Sequence, residues 1–267
     1  MLDLPNSLCT VIMAAGKGTR MKSDLPKVLH KLHNKTLIAH VIQSALDLQS
    51  QDHDIIVVVG HQREKVMDSI LEDFPKNQGQ IHFVTQNPQL GTAHAVQQAV
   101  PLIQELNKEY VLVLSGDVPL IQSKTLRKLL PSERTSKPTM LGTVAYANTD
   151  TPYGLGRLIR DSETQNLTSM IEQKDIPSNR KDLEDIKEIN TGIYLFYAQS
   201  LMEKLPLVQN NNNQKEYYLP DVIKMLIPQV NLVEIPFTEA MGINTPQQLS
   251  EASDVYLKIA TSKICPN

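Results

Sequence analysis

Short apolar runs alternate with amphipathic stretches along the first half of the chain. Leu8 to Ala14 is apolar except for Thr10, as expected of a strand. Leu37, Ile38, Val41, Ile42, Ala45 and Leu46 then recur at helical spacing and mark one face of a helix. Ile55 to Val59 is a continuous β-branched run, the pattern of a strand buried on both faces. Val66, Ile70 and Leu71 mark a second helix, and Ile81 to Thr85 a short strand. Thr92 can N-cap a third helix with Val96, Val100 and Ile103 on its face. Pro101 falls inside that pattern, where a kink or break is expected. Tyr110 to Leu114 reads as another buried strand. This alternation predicts an α/β fold, a mostly parallel central sheet with helices on both faces.

The second half is less regular. Met140 to Tyr146, Arg157 to Asp161, Ser169 to Gln173 and Glu188 to Tyr197 read as strands, followed by helices at Ala198 to Leu205 and Leu219 to Leu226. A strand at Val230 to Ile235 and a closing helix at Pro246 to Ile259 complete the pattern. Asn210 to Asn213 reads as an exposed loop. With no repeat and no linker, residues 1–267 are read as a single domain, with residues 1–120 and 121–267 as its two halves.

Chemistry concentrates where strands end. The first strand runs into Ala14-Ala15-Gly16-Lys17-Gly18-Thr19-Arg20-Met21, followed at once by Leu25-Pro26-Lys27. Glycines let backbone N–H groups approach an anion, and Lys17, Arg20 and Lys27 neutralise phosphate charge. The loop is not a Walker A sequence, which needs Gly-x-x-x-x-Gly-Lys-Ser/Thr. Nor is it a dinucleotide fingerprint, since Met21 stands where a small residue must pack. Two further motifs, Gln86 to Ala95 and Leu114-Ser115-Gly116-Asp117-Val118-Pro119-Leu120, also follow strands. Ligands of parallel sheets bind beyond the carboxyl ends of strands, so all three belong to one site.

Together these motifs resemble the sugar-nucleotide pyrophosphorylases. Within them, the match is to the uridyltransferase half of the bacterial bifunctional N-acetylglucosamine-1-phosphate uridyltransferase and glucosamine-1-phosphate acetyltransferase. Gly156-Arg157, Ile171 to Asp175, Glu188 to Gly192 and Glu216 to Asp221 extend the resemblance over nearly the whole chain. It implies a Rossmann-like nucleotidyltransferase fold. The implied reaction joins UTP to N-acetylglucosamine 1-phosphate, giving UDP-N-acetylglucosamine and pyrophosphate, with Mg²⁺ as cofactor. The resemblance assigns Asp117 and Asn244 to the metal, Lys27 to the α-phosphate and Arg20 to the triphosphate. Met13, Ala14, Ala15, Gly16, Lys17, Gln86, Gly91, Thr92, Ser115 and Gly116 fall to the nucleotide, and Gly156, Glu172 and Asn190 to the sugar. Read alone, Asn244 is a helix N-cap before Pro246. This sequence departs from the family at Leu155 and Ser115, where Tyr is usual, and at Lys215, where Gly is usual.

The remaining composition narrows the partners. Net charge is −3 and there is no basic tract, which gives a nucleic-acid partner no electrostatic support. No signal peptide or long apolar run is read, and Cys9 and Cys265 are expected as reduced thiols, so a cytoplasmic protein is expected. The seven histidines, all between His30 and His94, are expected to be solvated or capping rather than zinc ligands. No hexapeptide repeats of an acetyltransferase β-helix are read, so acetyl transfer from acetyl-CoA is not expected. Oligomeric state is open. Two other readings stand beside the main one: transfer to another sugar 1-phosphate, and a non-catalytic sugar-nucleotide sensor. Keeping Lys27, Asp117 and Asn244 together argues against the sensor.

Overall fold

Apolar alternation along the strands sorts side chains onto two helical layers, as the computed structural model of the protein shows for residues 7–48, 52–131 and 139–264. The first half builds β1 (Leu8–Met13), a small hairpin of β2 (Lys31–Leu32) and β3 (Lys35–Thr36), α1 (Leu37–Leu46), β4 (His53–Val59), α2 (Arg63–Asp73), β5 (Ile81–Thr85), α3 (Thr92–Glu105) and β6 (Tyr110–Ser115). The second half adds α4 (Ser123–Leu126), β7 (Gly142–Asn148), β8 (Gly156–Arg160), β9 (Leu167–Ile171), α5 (Lys181–Glu184), β10 (Glu188–Tyr197), α6 (Ala198–Lys204), α7 (Pro220–Leu226), β11 (Val230–Glu234) and α8 (Pro246–Ile264).

The sheet order is β11-β7-β10-β6-β1-β4-β5, with β8 on β10 and β9 on β8. Strands β6, β1, β4 and β5 are mutually parallel, so the sheet is mostly parallel as expected. β10 runs antiparallel to both β6 and β7, and β11 returns parallel to β7. Leu8, Ile12, Ile55 and Val57 pack with Ile38, Val41 and Ile42 of α1 and Val66 and Ile70 of α2. Their sequence neighbours Cys9, Val11, Ile56 and Val58 face the other way, onto Val96 and Ile103 of α3 and Val222 and Leu226 of α7. Burying the β-branched run on both faces removes apolar surface from water on each side, which is why that run is continuous.

Several boundaries differ from expectation. α3 runs through Pro101 without a break: Gln97 and Pro101 are both exposed, so the carbonyl left unpaired is open to water. Thr92 does not cap that helix; its hydroxyl accepts from the Leu219 N–H at 2.9 Å, and Gly91 holds the cap position. Strand β9 ends at Ile171, short of the expected Gln173, because Glu172 opens a 3-10 turn over Gln173–Asp175. Cys9 is fully buried, and burial pushes its thiol up to about 12, so it is held protonated. Cys265 lies outside the described residues. Among the described residues no helix is long and apolar enough to cross a membrane.

The histidines are the larger correction. His40 and His53 are buried, where solvated or capping roles were expected. His40 Nε2 lies 3.0 Å from the Leu32 carbonyl, and His53 Nε2 lies 2.8 Å from the Thr10 hydroxyl. Beside His53, the Lys108 ammonium sits 2.7 Å from both Asp52 and Asp54, and His82 is 2.7 Å from Asp54. Burial pushes the His53 imidazole down to about 4, with Asp54 opposing it. The unfolded chain therefore binds a proton there that the fold does not, between pH 6.5 and about 4. Stability rises with pH through that window and is lost as pH falls, by about 3 kcal/mol over its full width. Urea midpoints at pH 7 and pH 4.5 check this. The fall should flatten in His53→Gln, and an unchanged slope in that variant would refute the assignment.

Candidate functional site

Where β1 ends, the backbone is pinned before it turns. The Ala14 N–H donates to the Val58 carbonyl (2.9 Å), while the Ala15 carbonyl accepts from the His61 N–H (3.3 Å) and from Gln89 Nε2 (2.6 Å). Gly16 faces open space, with nothing within 4 Å of where a Cβ would stand. Gly18 has φ +63°, and a side chain there would run into Lys27. A short 3-10 turn, Thr19–Met21, buries Met21, and no long helix begins until Leu37. The loop thus has neither the Walker A nor the dinucleotide-fingerprint architecture.

The neighbouring strand end supplies the carboxylate. Gly116 N–H donates to the Met13 carbonyl at 3.0 Å, which draws the β6 exit against the β1 exit. Asp117 is 8% exposed, and its Oδ1 accepts from the Ser115 hydroxyl at 2.6 Å. Lys27 Nζ pairs with Asp117 Oδ2 and donates to Asn244 Oδ1 at 2.9 Å. Three residues far apart in sequence therefore meet at one ammonium. Asn244 is free to do so because it is not the cap of α8. Thr245 takes that role, its hydroxyl accepting from the Gln248 N–H (3.2 Å), while Gln248 Oε1 accepts from the Asn244 N–H (2.8 Å).

A second wall of the site forms around Gln86, which is 5% exposed. Its amide nitrogen donates to the Gly91 carbonyl at 2.9 Å and lies 3.1 Å from His94 Nδ1. Its amide oxygen remains as the acceptor. Gly91 has φ +115°, and a Cβ there would lie 2.5 Å from the Tyr217 carbonyl oxygen. A cleft of about 470 Å³ is lined by Met13 to Thr19, Lys27, Gln86, Gly91, Thr92, Ser115 and Asp117. Gly116 packs beneath it, and Arg20 stands exposed on the 3-10 turn outside the lining. Gly18, Thr19, Val28, Gln89, Ala95 and Glu216 also line the cleft and were not singled out as site residues, although all but Val28 lie inside the motifs.

Gly156, Glu172 and Asn190 assemble separately. Gly156 pairs with Asn190 across β8 and β10, and a Cβ at Gly156 would lie 2.9 Å from Glu172 Oε1. Asn190 Oδ1 accepts from the Tyr194 hydroxyl (2.8 Å) and the Gly192 N–H (3.2 Å), and its side chain also bonds Glu172. Gly192, at φ +75°, lies in the irregular stretch between Asn190 and Tyr194 of β10 that turns Asn190 toward this cluster. Burial pushes the Glu172 carboxyl up, with the hydrogen bond from Asn190 opposing. Arg157 is 1% exposed, and burial pushes its guanidinium down; it bonds the Leu155 carbonyl and Gln173 Oε1. Glu172 lines a second cavity, of about 860 Å³, with Tyr218, Asp221 and Lys224. Among the described residues no three or more His, Cys, Asp or Glu gather as a metal cluster.

The chain is similar to several known proteins. The chain is 41% identical over 260 residues to the bifunctional protein GlmU of Alkaliphilus metalliredigens (strain QYMF), covering 96% of this chain and 53% of that protein. It is 38% identical over 249 residues to the bifunctional protein GlmU of Synechococcus sp. (strain JA-3-3Ab), covering 93% and 38% respectively. The chain thus spans about half or less of these relatives' length. A UDP-glucose pyrophosphorylase solved with UDP-glucose has the same fold, with a TM-score of 0.68 at 17% identity over 94% of this chain and 98% of that one. The model of the MobA-like NTP transferase domain matches residues 10–216, from β1 through the cleft to Glu216. The chain belongs to that family of nucleotidyltransferase domains.

Proposed function

We propose that the protein transfers a uridylyl group from UTP to N-acetylglucosamine 1-phosphate, releasing pyrophosphate. The observation that carries this reading is the meeting of Lys27, Asp117 and Asn244 at the edge of the cleft that holds the glycine loop and Gln86. An oxygen of the sugar phosphate bonds to the α-phosphorus as the bond from that phosphorus to the bridging oxygen breaks. That attacking oxygen is already anionic at neutral pH, so no side chain has to take a proton. The protein's part is alignment and charge neutralisation. Lys27, Lys17 and Arg20 supply cations around the phosphates, and the N–H groups near Gly16 lie along the loop beside them.

Asp117 and Asn244 fit Mg²⁺. Their oxygens converge on a single cation position, now held by the Lys27 ammonium, and both are hard donors. Mg²⁺ is usually bound by few protein ligands together with substrate phosphates. When bound, the ion would add several kcal/mol of charge stabilisation. On the base side, the free Gln86 oxygen can accept a hydrogen bond from the uracil N3–H, which cytosine lacks. Glu172 and Asn190 supply polar partners for sugar hydroxyls and the N-acetyl group.

Pyrophosphate release over a panel of nucleotides and sugar 1-phosphates tests the reading. UTP with N-acetylglucosamine 1-phosphate should lead, turnover should vanish with EDTA, and added Mg²⁺ should restore it. Gln86→Ala should narrow the preference for UTP over CTP, because a buried polar wall left unpaired by the wrong base no longer exists. Equal kcat/KM for UTP and CTP in the unaltered protein would refute uracil reading by Gln86.

A further inference from the structure

The four-asparagine tract, which reads as an exposed loop, contains a closed hydrogen-bonded knot. Asn212 Oδ1 accepts from the Gln214 N–H (3.2 Å) and the Glu216 N–H (3.1 Å), and its Nδ2 donates to the Glu216 carbonyl (2.6 Å). The Lys215 N–H donates to the Asn212 carbonyl at 3.1 Å, with Lys215 at φ +58°. From this knot the chain grips two places. On one side, Tyr217 N–H donates to the Leu90 carbonyl (2.8 Å), the Tyr217 carbonyl accepts from the Ala93 N–H (2.9 Å), and the Leu219 N–H bonds Thr92. Those contacts fix Gly91 and Thr92 in the nucleotide cleft. On the other, the Asn213 N–H donates to Asp175 Oδ1 (2.9 Å) and Asn213 Nδ2 to the Lys174 carbonyl (2.6 Å). Lys174 and Asp175 belong to the turn that Glu172 opens, and the Asp175 N–H returns to the Glu172 carbonyl at 2.9 Å.

We propose that Asn212 is a positioning residue that holds the nucleotide wall and the Glu172 turn in register through one strap, residues 212–219. This rests on the nucleotidyl-transfer reading given above. All of Asn212's hydrogen bonds lie inside the strap; it is absent from the lining of the 470 Å³ cleft and stands at the wall of the 860 Å³ cavity that Glu172 lines. Loosening it therefore disturbs both substrate walls at once without removing a group from the reacting centre. Asn210 is the internal comparison, since it belongs to the same tract, lines neither cavity, and its side chain makes no hydrogen bond among the described residues.

The test uses the full chain and initial rates of pyrophosphate release, with both KM values measured separately. Asn212→Ala should raise KM about tenfold for the nucleotide and about tenfold for the sugar 1-phosphate, with kcat within threefold. Asn212→Asp keeps the oxygen that accepts from Gln214 and Glu216 and should recover part of both shifts. Asn210→Ala should leave both KM values unchanged. A purely structural loss lowers the folded fraction, so kcat falls with neither KM moving; that result overturns the proposal. So does a shift in only one KM, or none. If the unaltered protein turns over a different nucleotide or sugar, the function reading fails while the same comparison is run with that pair. If it turns over none, the nucleotidyl-transfer reading and this proposal fall together.

Discussion

Replacing Asp117 by alanine should lower kcat at least 100-fold, about 2.7 kcal/mol of barrier, with the fold intact by circular dichroism. Among the described residues Asp117 is the one carboxylate that contacts Lys27 and shares that cation with Asn244, and Ser115 orients its second oxygen. Alanine removes the negative charge and one of the two convergent oxygens, so Lys27 and the proposed metal position both lose an anchor. Asn244→Ala removes the neutral oxygen alone and should cost less. Pyrophosphate release at saturating Mg²⁺ and substrate measures both. Turnover by Asp117→Ala near that of the unaltered protein would sink the metal assignment.

Gly91→Ala should destabilise the protein by about 3 kcal/mol, a drop of roughly 6 to 12 °C in Tm. At φ +115° and ψ 178°, Gly91 lies where side-chain-bearing residues are strained. The added Cβ would also stand 2.5 Å from the Tyr217 oxygen and 2.7 Å from its nitrogen. Both are backbone atoms already bonded to Ala93 and Leu90, so neither can yield without opening the strap. Nucleotide KM should rise with the loss of stability. Gly16→Ala is the contrast: open space surrounds it, and its stability should change by no more than about 0.5 kcal/mol. Thermal unfolding of the two variants side by side decides it, and equal Tm values would contradict the packing argument.

Strands and helices were legible because burial on one or two faces leaves a period in the sequence. β5, β10 and α1 keep the bounds the pattern implies. What failed were features set by partners distant in sequence. Thr92 looks like a cap until Leu219 arrives from another part of the chain, and Asn244 looks like one until Lys27, far off in sequence, engages its side chain and the cap falls to Thr245. His53 carries no local sign of burial, since its environment is made by Thr10 and the charges around Lys108. The cleft residues Gly16, Gln86 and Asp117 were legible as motifs at strand ends. Asn212 was not, because a polar tract looks the same whether it is solvated or tied to itself. Nor does sequence spacing alone reveal that Lys27 bridges Asp117 and Asn244.

Strand β10 has a consequence for how the molecule can be divided. It lies between β6, where Tyr194 sits opposite Val113, and β7, so residues 1–120 and 121–267 share one sheet. Severing the chain after residue 120 would turn β6 into a bare edge, with its N–H and C=O groups unpaired on one side. It would also uncover the apolar face that Tyr194 and Phe196 now help to cover. An open edge flanked by hydrophobic surface is a template for joining other chains. Residues 1–120 on their own are therefore expected to clump, and any opening of the cleft must come from loops such as the strap rather than from parting the sheet.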